Sequence, residues 1–243
     1  MTIGFTSMRF NKDKVKEILF NPSKFYKGLV NEENDIRSPA IIVLIVGIIS
    51  AISAYMSGSI TGQLLSKTSP GIGGLLGIIA ALGAIVAVFF FWIIWGLVIY
   101  VISNRISHVR GMKLKGPGSI LHTVALIGYG YLPQAIGALI VLILGVIYLP
   151  SIKIPVLTGT ANQQAIESAT RSIFLDPSMQ AFNLGSSVIS LLFLFWSANI
   201  WIFGLRHGKG LSSKQAILTV AVPVIVYIII LMLSATFAIP GMR

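Results

Sequence analysis

Few residues of this 243-residue chain could carry out acid–base or nucleophilic chemistry. The chain has no cysteine, three histidines and seven acidic residues, and every acidic residue lies outside the long apolar stretches. A proton relay or general acid–base pair inside a membrane needs embedded carboxylates. The sequence therefore predicts no catalytic residue and no carboxylate-driven pump.

The histidines and serines also lack the spacing that a site would need. His108, His122 and His207 are not separated by one helical turn, as a metal-binding pair on a helix is, and no cysteine supplements them. Ser186 and His207 suggest a protease dyad, but the helix between them would hold them about 30 Å apart. We expect no metal, no cofactor and no enzymatic activity.

The remaining candidate residues are polar or helix-breaking groups within apolar stretches. They are His122, Tyr129, Tyr131, Pro133, Gln134 and Asn199. Pro133 cannot donate to the carbonyl of Tyr129, so the helix is expected to kink or break there. Gln134, Asn199 or a tyrosine hydroxyl could then donate to the freed carbonyls. The break either serves packing alone or lines a cavity for lipid, peptide or small solute.

The elements that position these residues are membrane spans. The chain is 55% hydrophobic and only 10% charged, whereas soluble domains are about 25% charged. Five uncharged stretches each exceed the ~20 residues that a spanning helix needs. The sequence predicts an all-α integral membrane protein, a five-helix bundle with a kinked or broken third span. The expected membrane domain is 40–243, with spans near 40–62, 71–103, 119–149, 178–205 and 214–239.

The distribution of positive charge predicts the orientation of the bundle. Of the 18 lysines and arginines, 14 fall in the N-terminal segment and alternate loops, and four fall on the opposite side. By the positive-inside bias, the N-terminus is cytoplasmic and the C-terminus is extracytoplasmic. We expect a multi-pass protein of the cell membrane without a cleaved signal peptide.

Residues 1–39 are predicted to form short amphipathic helices at the cytoplasmic surface. Apolar side chains alternate there with lysines at helical spacing, which suits contact with anionic headgroups. The expected lipid-surface contacts are Lys12, Lys14, Lys16, Lys24, Phe25 and Lys27. The alternative is that this segment packs on the protein's own loops. The net charge of +11 is attributed to lipid contact, and no nucleic acid is expected.

Local signals predict where helices begin. The pairs with proline at the first helical position are Asn21-Pro22, Ser38-Pro39, Ser69-Pro70 and Asp176-Pro177. Ser212 and Gln215 resemble a capping box, and the preceding helix should stop near Gly208. ANQQAIESATRSIF predicts a short surface helix. Gly73 and Gly77 form a GxxxG surface for packing inside the bundle or between protomers.

Three segments together resemble the Yip1 domain proteins. They are ILFNPSKFYKGL, SILHTVALIGYGYLPQAIGALI and WSANIWIFGLRHGKGLSSKQAILTVAVPVIV, with Trp201, Gly204, Leu205, Leu211, Ser212, Lys214, Ala216 and Pro223 matching the family pattern. The resemblance implies a non-enzymatic five-span bundle with a cytoplasmic N-terminus. In eukaryotic relatives it implies vesicle trafficking and association with Rab GTPases. This chain lacks their Asp-Leu-Tyr-Gly-Pro motif and resembles a short prokaryotic member.

Two functional hypotheses follow from these features. The first is a membrane scaffold or adaptor whose basic cytoplasmic face binds anionic lipid and a cytoplasmic protein partner, with a homo-oligomer possible. The second is a permease, channel or lipid-moving protein that uses a cavity at the break in span 3.

Overall fold

The computed structural model describes residues 12–29, 35–66, 72–109, 119–155 and 163–237, and the regular secondary structure within these ranges is entirely helical. The helices are α1 (Lys12–Phe20), α2 (Pro22–Leu29), α3 (Arg37–Ser66), α4 (Ile72–Val109), α5 (Ile120–Tyr129), α6 (Leu132–Tyr148), α7 (Gln163–Leu175), α8 (Pro177–Gly208) and α9 (Ser213–Phe237). A short 3₁₀ turn follows α6.

Five of these stretches are long and apolar enough to cross a membrane. They are Arg37–Leu64, Gly74–Ile106, Leu132–Ser151, Pro177–Gly208 and Ser213–Ile230. The predicted all-helical class and the number of spans are thus confirmed for the described part of the chain. The bounds differ mainly at the third span, where the shorter apolar helix α5 precedes the spanning helix α6.

Three of the predicted helix starts are confirmed by their capping bonds. Asp176 accepts a hydrogen bond from the backbone N–H of Ser178 at 2.8 Å, and α8 begins at Pro177. At α9, the N–H of Ser212 donates to Gln215 Oε1 at 2.9 Å. Asn21 Oδ1 likewise accepts from the N–H of Lys24 at 3.3 Å. These side chains satisfy N–H groups that have no partner within their helices.

The start of α3 differs from the prediction at Ser38-Pro39. The helix begins at Arg37, where Asp35 accepts from the N–H of Arg37 at 2.8 Å. The same carboxylate accepts the hydroxyl of Ser38 at 2.6 Å. A carboxylate has more acceptor capacity than a hydroxyl and a favourable charge at a helix N-terminus, so Asp35 is the stronger cap. Ser69-Pro70 lies outside the described residues.

Residues 119–149, which were predicted to form a kinked or broken third span, contain two helices, α5 and α6. The N–H of Gly130 donates to the carbonyl of Ile127 at 3.0 Å, and that of Tyr131 donates to Gly128 at 3.1 Å. These bonds span three residues instead of four, which tightens and ends α5. Pro133 lies in the first turn of α6, where its missing N–H costs no helical hydrogen bond.

The chain divides into two compact units, of which the second comprises Ile41–Phe91 and Pro133–Phe195. In this unit Gly77 of α4 packs closely against Tyr55 and Ser59 of α3, so the predicted glycine surface serves internal packing at that position. The expected surface helix is α7, which buries Ala169 and Ile173 in an apolar cluster with residues of α3 and α8.

The first unit comprises Met1–Ala40, Trp92–Leu132 and Trp196–Arg243. Its central element is α5, whose residues from His122 to Tyr129 are all buried. α1 and α2, the C-terminal parts of α4 and α8, and α9 supply the rest of this unit. The candidate functional site lies within this unit.

Candidate functional site

Three aromatic side chains donate hydrogen bonds to the backbone of α5. Trp92 Nε1 lies 2.9 Å from the carbonyl oxygen of Val124, and Trp201 Nε1 lies 2.8 Å from that of Ile127. The hydroxyl of Tyr26 donates to the carbonyl of Leu126 at 2.8 Å. We call these three side chains the α5 clamp. They come from α4, α8 and α2, so one short helix connects three elements of the unit.

The clamp has a physical cause in the way α5 ends. Because the N–H of Gly130 bonds to Ile127, it does not make the usual four-residue bond to the carbonyl of Leu126. A buried carbonyl without a donor costs about 1–3 kcal/mol, and Tyr26 supplies the donor. Tyr and Trp suit this position because each buries a large apolar ring together with one polar group.

Glycines let the aromatic rings approach the backbone of this region closely. A Cβ atom built on Gly130 would overlap the indole ring of Trp201, and one on Gly128 would lie 2.8 Å from Trp92 Nε1. The indole rings therefore leave no room for a methyl group at either glycine. This filled space does not favour a solute cavity beside these residues, which the transport hypothesis requires.

Three of the polar residues predicted in the spans lie in the first unit, each with its own contacts. Tyr129 is 1% exposed, and its ring packs edge-on against Phe25. Tyr131 is half-buried beside Trp201, and the buried His122 contacts the carbonyl of Gly208 through Nε2 at 3.2 Å. All of these residues belong to the first unit. Their arrangement is one of dense packing around α5.

The other three predicted residues lie elsewhere. Pro133 is buried and Gln134 is half-buried, and both belong to the second unit. Asn199, one of the alternative donors predicted to contact the freed backbone, lies exposed on α8. Two residues further along, Trp201 makes that contact instead. The two positions are 200° apart around the helix, which explains why only one of them faces α5.

The α1–α2 segment packs by its apolar face onto the first unit. Ile18 and Tyr26 are fully buried, and Trp196 Nε1 donates to the carbonyl of Leu19 at 3.1 Å. Phe25 was predicted to contact lipid, but it is only 5% exposed and packs against Tyr129. The segment therefore packs on α5 and α8, and not on the protein's own loops as the alternative prediction had it.

The opposite face of α1–α2 is basic. Lys12, Lys16, Lys24 and Lys27 are exposed, and Lys14 is half-buried. We call the four exposed lysines the basic face. Glu17 partly offsets the charge, because its carboxylate lies 2.6 Å from Lys24 Nζ and this hydrogen bond raises the pKa of Lys24. The basic face thus lies on two helices whose other face is buried in the protein.

A buried lysine, Lys209, lies in the turn between α8 and α9. Its side chain is 2% exposed, and its Nζ lies 2.8 Å from Ser103 Oγ and 4.6 Å from the centre of the Tyr100 ring. No carboxylate of the described residues pairs with it. Burial lowers the pKa of Lys209 to about 8, because the neutral amine is easier to bury than the ammonium.

Sequence reasoning missed the clamp and Lys209. The tryptophans carried a usable signal, since an indole N–H within a span must find an acceptor. The sequence gives no comparable indication that Lys209 is buried, because a lysine between two spans ordinarily faces water or headgroups. Gly210, with a φ of 69°, lets the chain turn there while the N–H of Lys209 bonds back to Leu205.

Comparison with known proteins identifies the family. The family model described as the Yip1 domain matches residues 16–235, nearly the whole chain. A protein of Methanocaldococcus jannaschii named only as uncharacterized is 36% identical over 124 residues, covering 51% of this chain and 82% of that protein. No solved structure matches. Because the family model spans α1 to α9, this multi-pass membrane protein belongs to the Yip1 domain family.

Proposed function

We propose that this protein is a non-enzymatic membrane scaffold whose basic face binds anionic lipid headgroups and an acidic cytoplasmic protein. The observation that carries the proposal is the pairing of two opposite faces on α1–α2. One face is buried through Ile18, Phe25 and Tyr26, and the other exposes four lysines. Membership of a non-enzymatic membrane family supports the same conclusion.

The proposal requires the basic face to lie on the cytoplasmic side of the cell membrane. The charge bias of 14 basic residues against four supports this orientation, with the C-terminus on the opposite side. The cytoplasmic leaflet is the one that attracts basic segments, at about 1 kcal/mol per lysine near its surface. Such a contribution corresponds to about a fivefold preference per lysine, reduced where Glu17 neutralises Lys24.

The role of the fixed apolar face is to hold the lysines at the membrane surface. A free amphipathic helix would bury its apolar residues in lipid, whereas here they pack on α5 and α8. Lipid binding by this segment should therefore be electrostatic and sensitive to salt. The same exposed ammonium groups can pair with the carboxylates of a protein partner.

The test uses the full-length protein in nanodiscs that contain equal amounts of anionic and zwitterionic lipid. Native mass spectrometry measures which lipids remain bound to the protein after it is released from the nanodiscs. The variant replaces the basic face with glutamines at Lys12, Lys16, Lys24 and Lys27. The control replaces Lys153 and Arg171, which are predicted to lie on the other side.

We expect the basic-face variant to retain several-fold less anionic lipid than the wild type, and the control to retain as much. Raised salt should reduce retention by the wild type in the same direction. Equal retention by all three proteins would contradict the proposal.

A further inference from the structure

The outer surface of α8 carries polar side chains within a candidate membrane span. Asn183, Ser187 and Ser190 are all exposed, and their spacing of four and three residues places them on one face of the helix. We call these three residues the polar stripe. They lie in the stretch Pro177–Gly208, which is apolar enough to span a membrane.

The polar stripe differs from the outer surface of α4. On α4 the exposed side chains include Leu82, Val86 and Phe90, which suit contact with acyl chains. On α8, by contrast, an amide and two hydroxyls face outward. Exposed polar groups are unfavourable in hydrocarbon unless a neighbouring helix provides hydrogen bonds.

Among the residues that the structure describes, only one side chain of the polar stripe has a hydrogen-bond partner. Ser187 Oγ donates to the carbonyl of Asn183 at 2.8 Å. For the amide of Asn183 and the hydroxyl of Ser190, the described residues supply no hydrogen-bond partner. Nearby, the buried Ser186 Oγ also lacks a partner in the described part of the chain. The side chains of the stripe therefore have donors and acceptors that no described residue pairs.

We propose that the polar stripe is an interface with a second copy of this chain, formed by parallel packing of α8 against α8. Copies of one membrane protein insert in the same orientation, so the two α8 helices run parallel and meet residue against residue. An amide both donates and accepts, so Asn183 is complementary to Asn183 of another copy. Serines are small enough to let the helices approach closely.

Cross-linking in native membranes tests the interface, because the natural chain contains no cysteine. Single cysteines are placed along α8 at 183, 187 and 190, and at the exposed apolar positions 184, 188 and 192. A mild oxidant then joins cysteines that meet in a dimer. We expect disulfide-linked dimers from the first three positions and few from the others.

A second measurement tests the chemistry of the contact. Asn183→Leu should weaken dimerisation about three- to thirtyfold, the range for an interhelical polar contact, as measured by single-molecule photobleaching over a series of protein densities in liposomes. Leu82→Ala on α4 is the control and should leave dimerisation unchanged. The proposal is overturned if the wild type is monomeric at all densities, or if cross-linking does not follow the helical repeat. Unchanged dimerisation of Asn183→Leu, or cross-links to a different protein alone, would also overturn it.

Discussion

Removing one oxygen atom from Tyr26 should measurably destabilise the protein. Tyr26→Phe keeps the ring that packs against Phe25 and Tyr129 and removes the hydroxyl that donates to Leu126. The carbonyl is then left buried without this donor, at a cost of about 1–3 kcal/mol in soluble proteins. Interhelical polar contacts in membranes average about 0.6 kcal/mol with a maximum near 1.7. We therefore expect a loss of about 1–2 kcal/mol.

Thermal unfolding of the full-length protein in nanodiscs measures this loss. For a chain of this size, 1 kcal/mol corresponds to about 2–4 °C, so Tm should fall by about 2–8 °C. Tyr55→Phe is the matched control, because Tyr55 is 45% exposed and its ring also packs within the protein. The control should shift Tm by less than about 2 °C. Equal Tm values for the two variants would refute the idea that the Tyr26 hydroxyl stabilises the end of α5 by its hydrogen bond to the Leu126 carbonyl.

Three further predictions concern the same unit and use the same thermal assay. Gly130→Ala should lower Tm because the added Cβ would overlap Trp201. The control Gly83→Ala on α4 adds a Cβ that meets no atom within 4 Å, so it should keep or raise Tm. Equal losses of Tm in the two variants would contradict this packing. Between pH 8 and 10.5 the unfolded chain keeps the Lys209 proton that the folded chain has lost. The free energy of unfolding should therefore rise with pH by up to about 3 kcal/mol. Lys209→Met should remove that rise. An identical pH profile for the variant would show that Lys209 is not the titrating group. Gly210→Ala should cost about 1 kcal/mol because φ is 69°, and an unchanged Tm would count against a rigid turn.

Composition and local signals predicted most of the fold. Uncharged stretches gave the five spans because hydrocarbon excludes charge over a fixed thickness. The start of α8 after Asp176 and the capping box at Ser212 followed from bonds that form between near neighbours in the chain. Such contacts depend on spacing alone, so they can be predicted without knowledge of the tertiary structure.

The α5 clamp could not be located in this way. Tyr26 and Leu126 are 100 residues apart, and their contact depends on how α2 packs on α5. Asn199 was predicted as a donor and Trp201 was not, because the rotation of α8 about its axis, which decides which one faces inward, cannot be predicted from spacing alone. An amphipathic pattern likewise predicts that one face of α1–α2 is covered, but not whether lipid or protein covers it.

Cysteine labelling tests most directly whether the basic face lies on the cytoplasmic side of the membrane, as the proposed scaffold requires. Single cysteines at Lys27, on the basic face, and at Lys153, before α7, can be labelled with a membrane-impermeant maleimide in intact cells. We predict labelling at 153 from outside, and labelling at 27 only after the cells are opened. Labelling at 27 in intact cells would place the basic face outside and contradict the proposed cytoplasmic scaffold.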